Sequence, residues 1–248
     1  MRKRPDLYTN YKSESAIFST LTQKAWFTVL VFTSLLLPFY LNNYWMLLVT
    51  TSLLIAIASW GLNIVSGMAG QINLAHGVFV GIGAYTSAVI GGVATSSVIG
   101  FELDMIFWLP ISGIVSALIG IIISPVSARL KGLNLGLVTL AIVFIGSHFF
   151  SNLKFITGGA GLGRKAAKLK FLGVDLDSGL TIGNLILEKN DVIYYFSLIL
   201  CILLGIGAKN LTRTKIGRAF SAIRDRDIAA EALGLSLIHI SEPTRPTP

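Results

Sequence analysis

The sequence predicts an all-α polytopic membrane protein, with about six transmembrane helices and one glycine-broken segment, and three observations predict it. The 248 residues are 53% hydrophobic and only 13% charged, against roughly 25% charged in a soluble domain, and the mean hydropathy is +0.74. Six runs free of Asp, Glu, Lys and Arg, at residues 25–41, 45–67, 77–100, 105–126, 132–150 and 192–208, approach or exceed the about 20 residues that a helix needs to cross the hydrocarbon. Between the second and third runs, glycines and polar side chains fall where an unbroken helix would carry apolar ones.

Residues 1–24 form a polar tail. No small-residue cleavage site follows the first run, so the amino end reads as a cytoplasmic tail and not as a cleaved signal peptide. The first span is short. The second and third enclose "GMAGQINLAHG", Gly67 to Gly77, in which glycines loosen the backbone and Gln71, Asn73 and His76 bring polar groups to membrane depth. Non-helical backbone is tolerated there only where protein or a water-filled cavity satisfies it. This predicts a broken or re-entrant segment beside a pathway, with Asn63, Gly70, Gln71, Asn73 and His76 lining or supporting it.

In the third span Gly77 and Gly81 stand four apart, and Ala84 and Ala88 continue the small-residue spacing, which lets a second helix approach closely. "GIGAYT" lacks the third glycine of a dinucleotide fingerprint and lies in an apolar span rather than after a strand. His148, near the external end of the fifth span, reads as a hydrogen-bonded interfacial residue. "GGAGLGRK", Gly158 to Lys165, lacks the ending of a phosphate loop. The single Cys201 leaves no internal disulfide and no cysteine-based metal site.

With the amino end inside, the tail, the Ser127–Lys131 turn and the Lys209–Gly234 segment are cytoplasmic and carry 13 of the 20 Lys and Arg, while the external Ser151–Asp191 loop carries 6. The net charge of +8 therefore reads as positive-inside topology. Nucleic acid is not an expected partner, because no aromatic-basic platform is present.

The six runs contain no ionisable carboxylate or amine. Proton pumps rely on such groups, so proton coupling is not expected, whereas sodium coupling through unwound backbone carbonyls stays open. No Walker A, H-E-x-x-H or G-x-S-x-G motif occurs, and no catalytic residue, metal or cofactor is expected. Energy, if used, comes from a partner.

"GRAFSAIRDRDIAAEALG", Gly217 to Gly234, is helical in pattern and rich in alanine. At about 100° per residue, Ala219, Ala222, Ala229, Ala230 and Leu233 share an arc of about 100° interrupted by Arg226, with Arg224, Asp227 and Glu231 opposite. Gly234 can supply a left-handed carboxyl cap. One face is small enough for a protein groove; a solvated cytoplasmic helix is the alternative.

Three blocks carry a family resemblance: "GLNIVSGMAGQINLAHGVFVGIGAYTSAVI" (Gly61 to Ile90), "LKGLNLGLVTLA" with "ITGGAGLG" (Leu130 to Gly163), and "IGRAFSAIRDRDIAAEALG" (Ile216 to Gly234). Together they resemble the branched-chain amino acid ABC transporter permeases of the LivM type. The resemblance implies an ABC importer permease fold in the bacterial inner membrane. It also implies a second permease subunit, two cytoplasmic ATPase subunits, and a periplasmic or external substrate-binding protein as partners, with membrane lipid around them.

It further implies that the cytoplasmic E-A-A-x-x-x-G motif falls on Ile228, Ala229, Ala230 and Gly234, with Ile228 where many importers have Glu. On this reading Ala219, Ala222, Arg224, Ala229, Ala230, Leu233 and Gly234 couple to the ATPase. The "TGG" loop is one residue shorter than the family's usual form. A urea or short-amide importer permease is the alternative in the same class. An ion-independent channel is the alternative from another, and a non-transporting membrane anchor is disfavoured by the broken pathway. Segment by segment, 25–208 is expected to be the transmembrane region and 209–234 the coupling segment. Leu235 to Arg245 reads as the in-frame translation of a sequencing adapter, so 235–248 is expected to be non-native and the natural chain to continue past Gly234.

Overall fold

The computed structural model describes residues 20–130, 132–159, 163–182 and 185–225. The helices among them are α1 (Leu21–Leu36), α2 (Asn43–Leu62), α3 (His76–Gly91), α4 (Met105–Ala128), α5 (Leu133–Asn152), the single turn α6 (Lys154–Thr157), α7 (Lys189–Arg213) and α8 (Lys215–Asp225). Two antiparallel hairpins pair β1 (Lys170–Phe171) with β2 (Val174–Asp175) and β3 (Leu180–Ile182) with β4 (Leu185–Leu187). They occupy the loop before α7.

Among the described residues, five helical stretches are long and apolar enough to cross a membrane: Leu21–Phe39, Asn43–Met68, Met105–Ser127, Leu133–Asn152 and Lys189–Arg213. The first is longer than its charge-free run. Thr20 accepts the Gln23 N–H at 3.3 Å and starts α1 four residues before Ala25, and Lys24 in the first turn can extend its ammonium to the interface.

The third run behaves differently. It was expected to span residues 77–100, but α3 holds only 16 residues and stops at Gly91. The chain folds back, and the N–H groups of Phe101, Leu103 and Glu102 donate to the carbonyls of Val89, Ile90 and Gly92 at 3.0, 2.9 and 3.2 Å. A helix end leaves its last carbonyls without intrahelical partners, and this returning segment satisfies them. The apolar residues after Gly92 therefore serve as a closing loop, with Val98 buried.

The residues group into two compact units. Among the described residues, the first holds 20–64, Met68–Gly70 and 195–225. Asn42 caps α2 by accepting the Trp45 N–H at 3.1 Å. Tyr195 on α7 donates its hydroxyl to the Leu35 carbonyl at 3.0 Å. Gly205 lets Trp60 lie against α7, since a Cβ there would stand 2.6 Å from the indole.

The second unit holds Val65–Gly67 and Gln71–Tyr194. Here α3 packs mainly along α4, and Ser116 donates to the Phe79 carbonyl at 3.3 Å. Against α5 the fit is reciprocal: Phe150 covers Gly81, and Val78 covers Gly146. The small-residue spacing thus admits a neighbouring helix at Gly81, whereas nothing among the described residues approaches the Cβ position of Gly77. Asn152 donates to the His148 carbonyl at 2.8 Å and its amide lies 3.2 Å from Nδ1 of the exposed His148 ring.

Candidate functional site

The break between α2 and α3 begins as a change of helical pitch. Residues Asn63–Met68 form a π-helical turn, a feature that recurs at functional positions. The Ala69 N–H reaches back to the Ile64 carbonyl at 3.3 Å, and the Gln71 N–H to Val65 at 3.2 Å. Gly70 then takes φ +65°, a left-handed conformation that favours glycine.

The next residues make no helical hydrogen bonds and are tied down by side chains. The Thr139 hydroxyl accepts the Leu74 N–H at 3.2 Å while donating to the Gly136 carbonyl at 2.9 Å. Asn73 Oδ1 accepts the Ala75 N–H at 3.0 Å, just before α3 starts. Ala75 and Thr139 are both buried.

Beside this segment lies a cavity of about 220 Å³ within the second unit, the liquid volume of roughly seven waters. Gln71, Asn73, Ser124, Ser127 and Thr139 give it polar groups, and Phe79, Ile123, Leu135 and Ile142 give it apolar walls. None of its lining residues is titratable. Such a space can hold a small solute with one polar and one apolar end through neutral hydrogen bonds. The Gln71 carboxamide has no hydrogen-bond partner among the described residues. A larger recess of about 520 Å³ between α3, α4 and α5 is walled almost wholly by aliphatic and aromatic side chains and offers a charged solute little.

The five expected pathway residues divide. Gln71 and Asn73 line the cavity. Asn63 lies in a different space of about 200 Å³ in the first unit, with Trp60, Lys209 and Thr212. Gly70 makes the turn and meets the Arg224 stem, and half-buried His76 opens α3 without lining the cavity. Sequence reasoning missed Ser124, Ser127 and Thr139. Pro125 between the two serines, inside α4, was the available signal.

Of the expected coupling residues, Ala219, Ala222 and Arg224 belong to α8. Ala219 is half-buried and Arg224 exposed. Ala229, Ala230, Leu233 and Gly234 lie outside the described residues. The N–H of Gly217 meets the Thr214 hydroxyl at 3.4 Å, and a Cβ at Gly217 would run into the Leu211 and Thr212 carbonyls, so α8 turns tightly off the end of α7.

A family model described as the permease component of the branched-chain amino acid transport system matches residues 44–240. The chain is similar to the high-affinity branched-chain amino acid transport system permease protein LivM of Salmonella typhimurium, with 30% identity over 88% of this chain and 52% of that protein. It is also similar to the protein of the same name from Escherichia coli, 29% identical over the same shares. The chain thus spans about half the length of the curated relatives it matches. No solved structure matches it.

Proposed function

Since the chain belongs to the family of branched-chain amino acid transport permease components, multi-pass proteins of the bacterial inner membrane, we propose that it is the membrane-spanning subunit of an ATP-driven importer of branched-chain amino acids. The observation that carries this reading is the neutral, mainly apolar cavity with a few polar groups beside the helix break. A branched-chain amino acid presents a zwitterionic end to hydroxyls and carboxamides and an aliphatic end to Phe79, Ile123 and Leu135. Gln71 is the residue we assign to the polar end, and Asn73 and Thr139 hold the backbone that presents it.

Energy comes from outside the chain. With no Asp, Glu, Lys or Arg inside the charge-free runs, the reading assigns the driving force to two cytoplasmic ATPase subunits. A second permease subunit completes the pathway, and an external binding protein delivers the solute. The segment from Ala219 to Gly234 is the docking element on the ATPase, its small residues allowing close approach.

The test is uptake into proteoliposomes by the permease assembled with these partners. Leucine, isoleucine and valine should accumulate only with ATP and the binding protein present. Uptake of urea or short amides in their place selects the amide importer, and flux without ATP selects a channel.

A further inference from the structure

The broken segment lies between two spaces of the second unit. Gln71, Ile72, Asn73 and Ala75 line the cavity beside it, whereas Leu74 lines a separate groove of about 640 Å³. Contacts pair Ile72 with Gly136, Leu74 with Thr139, Val78 with Gly146 and Gly81 with Phe150. The helices α3 and α5 therefore run in the same direction, and the groove follows their seam away from the break. Val78 and Phe150 fill the seam, and the rings of Tyr85 and Phe150 pack 4.9 Å apart along it. Gly77, whose Cβ position no described residue approaches, opens onto the groove.

The α5 wall is polar at a regular spacing. Thr139, Val143, Ser147 and Ser151 stand four apart on α5 and so share one face. Thr139 holds the Leu74 N–H at one end, and the other three line the groove. Helical Ser and Thr hydroxyls commonly bond to a carbonyl of the preceding turn, as Thr139, Ser87 and Ser112 do here. Ser147 and Ser151 make no side-chain hydrogen bond among the described residues, and both are exposed. Such hydroxyls are costly against hydrocarbon and suit a wetted surface. The groove holds no Asp, Glu, Lys, Arg or His, and its volume falls within the about 300 to 1,000 Å³ of small-molecule sites.

We propose that this groove is a second subsite for the transported solute, in which the Ser147 and Ser151 hydroxyls bind its polar end and Val143 and Phe150 its aliphatic end. The segment from Gln71 to Ala75 is the partition between groove and cavity, with the Thr139 bond to the Leu74 N–H pinning it in place. The inference rests on the permease reading and deepens it, by adding a site on the other side of the break. The spacing of Ser147 and Ser151 would also accept a partner helix. Two unpaired hydroxyls, and a cavity of similar chemistry one residue away across the segment, favour the solute.

The experiment uses the permease assembled with its partners in nanodiscs, in a Cys201→Ser background, with Ser147→Cys as the reporter for a charged methanethiosulfonate reagent. The reporter should be labelled, and saturating leucine should slow its labelling several-fold. A Ser178→Cys reporter in the exposed loop outside the groove should label at one rate with and without leucine. In uptake assays, Ser147→Ala combined with Ser151→Ala should assemble in normal yield and raise the half-saturating leucine concentration about tenfold, as loss of two neutral hydrogen bonds implies. Ser147→Thr combined with Ser151→Thr, which keeps both hydroxyls, should recover most of this.

Labelling of Ser147→Cys that leucine leaves unchanged overturns the proposal, and so does an unchanged half-saturating concentration in the double alanine variant. A reporter that labels only after the partners are stripped away makes the groove the seat of a partner helix, and one that labels in neither state makes it a lipid-facing surface; each also overturns the proposal. If the unsubstituted complex shows no ATP-dependent leucine uptake, the importer reading itself fails, and protection of Ser147→Cys by leucine still judges the groove.

Discussion

Thr139 does two tasks with one hydroxyl: it closes a bond to Gly136 on its own helix and receives the Leu74 N–H of the broken segment. Thr139→Val keeps the shape and removes the acceptor. An unsatisfied donor costs about 1 to 3 kcal/mol when fully buried and less for this part-buried N–H, so the melting temperature of the purified protein should fall, and Thr139→Ser should restore most of it. Gln71 and Asn73 should separate in the same assay. Asn73→Leu removes the acceptor for Ala75 and is expected to lower the melting temperature along with uptake. Gln71→Leu is expected to leave melting unchanged and lower uptake alone, and a drop in its melting temperature would make Gln71 a structural residue.

Among the elements, the crossing of α3 and α5 depends on absent side chains. A Cβ at Gly146 would stand 2.6 Å from Val78 Cγ1, so Gly146→Leu overpacks the crossing and should cost about 1 to 3 kcal/mol, read as a lower melting temperature. Adding Val78→Ala should recover part of the loss. The helices themselves were legible as charge-free runs, and the break was legible from its glycines and polar groups. The carboxyl end of α3 was not, because Val93, Val98 and Ile99 have the composition of a span and the helix is closed by distant donors, at Phe101 to Leu103 and at Lys168. The hydroxyls of the site were illegible for a related reason. Thr50, Thr51 and Ser52 bond to carbonyls four residues back on their own helix, as such residues commonly do. In the sequence only Pro125 sets Ser124 and Ser127 apart from these, and nothing does so for Thr139.

For the whole molecule, the positive-inside distribution of basic residues carries the proposal that the amino end and α8 are cytoplasmic. Reporter fusions should read external at Asn152 and cytoplasmic at Thr212; an external signal at Thr212 removes this topology and with it the ATPase-docking role of α8. The shortness of α3 reaches further, into the bilayer. Sixteen residues rise about 24 Å at 1.5 Å each, less than the about 30 Å of hydrocarbon in a typical membrane. Where lipid meets the ends of α3 it thins to match, and elastic deformation of that kind costs fractions of a kcal/mol per Å. On the proposed function the solute pathway begins at the amino end of this helix, and the membrane is then a mechanical load on it. Uptake should be faster in vesicles of shorter-chain phosphatidylcholine than of longer-chain, and the opposite order would mean that neighbouring protein, not lipid, meets the ends of α3.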